Sequence, residues 1–161
     1  MSKIRFDGEF DTRFLNEKSC TSMEYIKQLL QGKYPAAPKF SVMISHVKDI
    51  AKAHVLSLNN KKAEGRRLIV GSGTRSILEL SKIMIENIPS HSKKLPKKEL
   101  PNFMVKLISY VDSSAKNLVP DLGLKMQTDT KYAEEILQMK FIEPEVSVID
   151  AAKSVIRLNL A

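Results

Sequence analysis

The stretch from Phe40 to Gly73, FSVMISHVKDIAKAHVLSLNNKKAEGRRLIVGSG, narrows most what this chain can fold into. Phe40 to Val47 is rich in apolar and β-branched residues, which suit a pleated, partly buried strand. From Asp49 to Leu58 the spacing becomes helical, with Val47, Ile50, Ala51, His54 and Leu58 near one face. Asp49 stands where a helix start favours a carboxylate, which can accept from otherwise unpaired N–H groups and cap the helix. After the polar turn Asn59 to Gly65, Arg67-Leu68-Ile69-Val70 is a short apolar run closed by Gly71. Such a run reads as a buried strand of a parallel sheet. Strand, helix and strand in that order make the repeating unit of an α/β protein.

The segment Ser45-His46-Val47-Lys48-Asp49-Ile50-Ala51-Lys52-Ala53-His54-Val55 resembles the (V)HVxDVAxAHV segment of the extended short-chain dehydrogenases/reductases. Within them it is most similar to the dihydroflavonol-reductase-like branch of the NAD-dependent epimerase family. Glu64 to Val70 resembles the strand that follows in those enzymes, and Asp129 to Leu158 resembles their ending. The resemblance runs from about Thr21 to Arg157 and covers only the C-terminal part of the family pattern. It implies an α/β fold: the helix-rich C-terminal part of a Rossmann-type enzyme, with few strands and an incomplete parallel sheet. Residues 1–18 form a variable N-terminal segment and residues 19–161 the substrate-binding part.

Other boundaries follow from caps and breakers. Thr21-Ser22-Met23-Glu24 and Ser76-Ile77-Leu78-Glu79 are capping-box signatures, a hydroxyl followed three residues later by Glu. The first predicts a helix to about Gln31 with Met23, Ile26, Leu29 and Leu30 inward, ended by Gly32 in a left-handed turn. Pro35 and Pro38 make 33–39 an extended or turning connection. The second predicts a helix to about Asn87 with Ile77, Leu80, Met84 and Ile88 inward, stopped by Pro89. Ser90 to Glu99 reads as a polar loop and Phe103 to Val111 as a buried helix. Ser113 to Gly123 reads as a helical turn and a loop. Asp129 to Met139 is expected to be helical, as is Glu145 to about Leu158 with Val146, Ile149, Ala152 and Ile156 inward. Phe6, Phe10 and Phe14, four apart, would share one helical face.

The family's acid is a Tyr with a Lys four residues on; on a helix the ammonium then lies beside the phenol and lowers its pKa. Here Tyr25 is followed at that spacing by Leu29, Tyr34 by Pro38, Tyr110 by Ser114 and Tyr132 by Ile136. The first-strand GxxGxxG is absent too. Gly71-Ser72-Gly73-Thr74-Arg75-Ser76 approaches a dinucleotide fingerprint but has Ser76 for the third glycine and no later strand bearing an acid for a ribose. A tight strand-to-helix turn is the expectation there. His46, His54 and His91 do not cluster, so no metal site is expected.

The resemblance places Ser41, Met43 and His46 at the wall of a substrate site. Met43 is apolar where those enzymes have polar contacts, which speaks against a flavonoid-like polyol. The structural alternative for the strand-to-helix turn has Asp49 capping the helix and His46 bonding backbone. No catalytic and no cofactor-binding residue is assigned. NAD(P) is implied for the full family and not for this chain alone.

Totals fit this reading. The chain has 161 residues, 43% hydrophobic and 27% charged, enough for one domain with a core. Cys20 is the only cysteine, which excludes an intrachain disulfide and is compatible with a reducing, cytoplasmic setting. No apolar run is long enough to span a bilayer and no signal peptide is read, so no membrane partner is expected. The net charge of +8 is spread along the chain as a solvated surface; its densest part, Lys93-Lys94 with Lys97-Lys98, lacks interleaved aromatics, and nucleic acid is not an expected partner. The leading expectation is a truncated or split NAD(P)-dependent oxidoreductase, its substrate-side half, inactive alone, acting on a small carbonyl compound. It would pair with the missing N-terminal half or with itself. The alternative is a stand-alone binding module, a pseudoenzyme using the old site or an open sheet edge.

Overall fold

The computed structural model describes residues 21–110, 113–124 and 126–161. Phe6, Phe10 and Phe14 lie outside them, as do Cys20, Val111 and the side chain of Thr21. The first helix, α1 (Thr21–Leu30), buries Met23, Ile26, Leu29 and Leu30, as their spacing requires. Gly32 then takes φ +76, which an L side chain resists, and turns the chain away. The strand β1 (Ala37–Pro38) follows within the expected connection. Pro38 lacks an N–H, so the pairing is short and lies at an edge.

β2 (Ser41–Ile44) leads into α2 (Val47–Leu58). The next strand is a correction to the sequence reading. Residues 67–70 pair in no ladder; β3 is Gly73–Ser76 and runs antiparallel to β2, with Ile44 opposite Gly73 and Ser41 opposite Ser76. The physical reason lies in what the side chains meet. Leu68 and Val70 pack beside Ala53, Leu137 and Met139, while Arg67 and Ile69 face out, so this segment is held by one apolar face alone. It is tied to the end of β2 where Ser45 Oγ donates to Val70 O at 2.7 Å and Ser72 N to Ile44 O at 2.9 Å. The parallel pairing in the fold is instead β1 with β4 (Glu99–Leu100), two residues a side.

α3 (Ile77–Asn87) starts on a complete capping box: Ser76 Oγ accepts from Glu79 N at 3.2 Å, and Glu79 Oε2 accepts from Ser76 N at 2.7 Å. It buries Ile77, Leu80 and Met84 and ends at the turn Pro89–His91. The following loop is polar but anchored, because Leu95 enters the core and buried Ser81 donates to Pro96 O at 2.5 Å.

α4 (Asn102–Ile108) and α5 (Ser113–Leu118) pack on each other. The expected buried helix is here, yet only Val105 is buried, because no described element lies over its other side. α6 (Lys131–Leu137) buries Ala133 and Leu137. α7 (Pro144–Arg157) packs against α1 and α3. Its inward face is Val148, Ala152 and Val155, with the expected Ile156 packed beside them, while the expected Val146 is 47% exposed and Ile149 joins neither cluster.

The main core joins α1, α3 and α7 under β2. A second, smaller cluster joins α2, α6 and residues 68–70. No helix among the described residues is long and apolar enough to cross a membrane.

Candidate functional site

The antiparallel ribbon β2–β3 has two faces, set by the period of two in a strand. Val42 and Ile44 pack on the main core. Ser41 and Met43 therefore point the other way, and the register puts Thr74 opposite Met43 on that outer face. Met43 is 40% exposed. Described residues after α5 are tied beside this ribbon at two points: Gly123 N donates to Lys39 O at 2.8 Å, and Thr128 Oγ1 lies 3.3 Å from Thr74 Oγ1. Leu124 and Met126, between those ties, remain exposed. The outer face thus gathers Ser41, Met43, Thr74 and Thr128.

Two of the expected residues, Ser41 and Met43, come together here. His46 is held elsewhere. It is the residue before α2, 6% exposed, and its Nδ1 accepts from Lys48 N at 3.1 Å. Nε2 therefore carries the proton of the neutral ring and faces Asp150 Oδ2 at 3.4 Å on α7. Both ring nitrogens are engaged, on the side of the ribbon that packs against α7. Asp49, expected as the cap, is the third residue of α2, three positions past the cap residue His46. Buried at 5% exposure, it accepts instead from Ile142 N at 2.7 Å through Oδ2.

Thr74 and Thr128 were not singled out in the sequence. They lie 54 residues apart, and only the fold brings them together. Thr74 belongs to the Gly71–Ser76 stretch, which forms no phosphate loop: β3 passes straight into the cap of α3 at Ser76. Gly71 is needed for close approach. A Cβ there would stand 3.1 Å from Ile44 O and 3.2 Å from Met43 Cγ.

The gathered groups are hydroxyls and thioethers. They can hold a small molecule by hydrogen bonds and dispersion, but none is an acid or base near neutral pH. Tyr25 offers no substitute, since burial pushes its phenol up, the opposite of what a proton donor of this kind needs. Among the described residues no group of three His, Cys, Asp or Glu could hold a metal ion. Charge near the ribbon is paired: Arg75 Nη2 and Nε donate to Glu145 Oε1 at 2.7 and 3.0 Å, which holds that carboxyl below its ordinary range.

Solved structures share this fold. The yeast methylglyoxal/isovaleraldehyde reductase Gre2, complexed with NADPH, matches 94% of this chain and 44% of its own, with a TM-score of 0.62 at 18% identity. Gre2 from Candida albicans matches 94% of this chain and 42% of its own, with a TM-score of 0.66 at 22% identity. Its NADPH complex matches 93% and 40%, with a TM-score of 0.63 at 20% identity. The chain therefore spans less than half the length of these reductases and has the helix-rich α/β fold of a reductase part, as the resemblance implied. No protein-family model and no curated protein sequence matches it.

Proposed function

We propose that this chain is the substrate side of an NAD(P)-dependent carbonyl reductase, and that hydride transfer requires protein beyond these 161 residues. One observation carries the reading. The fold matches reductases over 94% of this chain but 44% of theirs, while the sequence has neither a GxxGxxG nor a Tyr-x-x-x-Lys. What the described residues offer is a surface that can bind a small molecule. The substrate would be a small, largely apolar carbonyl compound on the outer face of the ribbon. Ser41 and Thr74 would supply its polar contacts, and Met43, Leu124 and Met126 the apolar ones.

The unpaired segment 67–70 supports a second part joining the first. Its side chains alternate as in a strand, and its open backbone edge can accept another strand. Mixing the chain with a polypeptide bearing the two missing motifs tests this. NADPH oxidation with an aldehyde or ketone is expected in the mixture and not with either part alone. Turnover by the purified chain alone would refute the reading, as would a mixture that never turns over although the parts bind.

A second reading is a binding module without catalysis. The engaged state of His46 and, among the described residues, the hydroxyl and thioether groups that gather on the ribbon's outer face favour it. Binding of carbonyl compounds by the chain alone, with no complementation, would select it.

A further inference from the structure

The helix α4 shows an apolar surface where a soluble protein normally shows a polar one. Phe103, Met104, Leu107 and Ile108 sit at i, i+1, i+4 and i+5, so they share one arc, and they are 65%, 42%, 68% and 43% exposed. Val105 alone turns inward. Leu124, 60% exposed, extends the patch, because Gly123 lies against Asn102 at the start of the helix. Contiguous exposed apolar area of this kind marks an interaction surface.

The charge beside it identifies the partner. The loop leading into α4 carries Lys93, Lys94, Lys97 and Lys98, all exposed, and Lys33 joins them because Gly32 lies against Lys94. The loop does not hang free, since Leu95 and Pro96 are buried within it. Lys98 precedes Phe103 by five residues, a reach of at most about 18 Å. Among the described residues, none of these five lysines pairs with a carboxylate, and Glu99 is taken by Lys39 at 3.6 Å. Helix 102–108 contains no acidic residue.

From this combination we propose that α4 and the lysine loop form a docking surface for an anionic phospholipid bilayer. The apolar arc enters the boundary between headgroups and acyl chains while the lysines meet the lipid charge. A nucleic acid would satisfy the lysines but leave four apolar side chains in water. A second copy would cover the apolar arc but bring two sets of lysines together. A fluid interface has no fixed shape to match, which suits a convex helix carrying side chains of mixed size. Sequence alone pointed away from a membrane because nothing spans one; lying on a surface requires no span.

Flotation of the full chain with phosphatidylcholine vesicles, with and without phosphatidylserine, tests the proposal. Binding is expected only with phosphatidylserine and is expected to fall as salt is raised. Replacing Lys93 or Lys94 by Ala should weaken it about fivefold each. Leu107→Asp and Phe103→Ser should abolish it while leaving the thermal unfolding transition in place, because both side chains are exposed in the folded chain. Absence of flotation with anionic vesicles would overturn the proposal, as would flotation unchanged in Leu107→Asp. Salt-sensitive RNA retention without flotation would assign the lysines to a polyanion and also overturn it, as would a dimer dispersed by Leu107→Asp that ignores vesicles.

Discussion

Asp49 Oδ2 accepts the backbone N–H of Ile142 at 2.7 Å, joining positions 93 residues apart. The bond ties the first turn of α2 to the chain entering α7, so it holds the two clusters together. Removing the carboxylate leaves a backbone donor without a partner, which costs more than the bond itself returns. Asp49→Ala should lower the unfolding free energy by about 2–3 kcal/mol, and Asp49→Asn, which keeps an acceptor, by less. Urea titration of the two variants measures the difference. Equal and small losses would show that Ile142 N–H finds water instead.

His46 caps α2 through a ring nitrogen, an uncommon acceptor for that task but a geometrically sound one. His46→Ala should cost about 1 kcal/mol or somewhat more, since the cap and the tie to Asp150 go together. His46→Asn should recover most of the loss, because Asn is among the best caps. Circular dichroism of thermal unfolding ranks the three proteins, and failure of Asn to recover stability would place the weight on Asp150.

Gly71 passes so near the backbone of β2 that a methyl group would meet Ile44 O at 3.1 Å. That oxygen also accepts from Ser72 N, so it is not free to retreat. Gly71→Ala should destabilise by about 1–3 kcal/mol, the usual range for overpacking. Gly65→Ala makes a useful contrast: nothing surrounds that position, and only its φ of +66 opposes a side chain.

Glu145 and Glu79 are among the carboxyls that sit below their ordinary value of 4.5, Glu145 because Arg75 donates to it and Glu79 because the Ser76 backbone N–H does. The folded state binds these protons less tightly than the unfolded chain. Their stabilisation is therefore complete above about 4.5 and is lost as pH falls through the lower folded values. Glu145→Gln should flatten part of that acid limb and cost about 0.2–1 kcal/mol at neutral pH, since the pair is solvent-exposed. Denaturant midpoints measured from neutral pH down to pH below 4.5 check both statements.

Sequence by itself determined the elements that local physics dictates. The Ser76–Glu79 box, Gly32 and Pro89 set the ends of helices, and Met23, Ile26, Leu29 and Leu30 set an inward face no other packing could use. The alternation along β2 likewise put Ser41 and Met43 on one side. Tertiary structure decided what two equally good local patterns left open. α7 carries two apolar stripes, and docking on α1 and α3 selected Val148 and Val155 over Val146 and Ile149. Residues 67–70 have the pattern of a paired strand, but pairing needs a neighbour, and the described chain places an apolar cluster there instead. Asp49 had the local chemistry of a cap, yet His46 reached the orphan N–H first, which freed the carboxylate for Ile142. Partners separated by dozens of residues leave no mark in local spacing, and only the folded chain brings them within bonding distance.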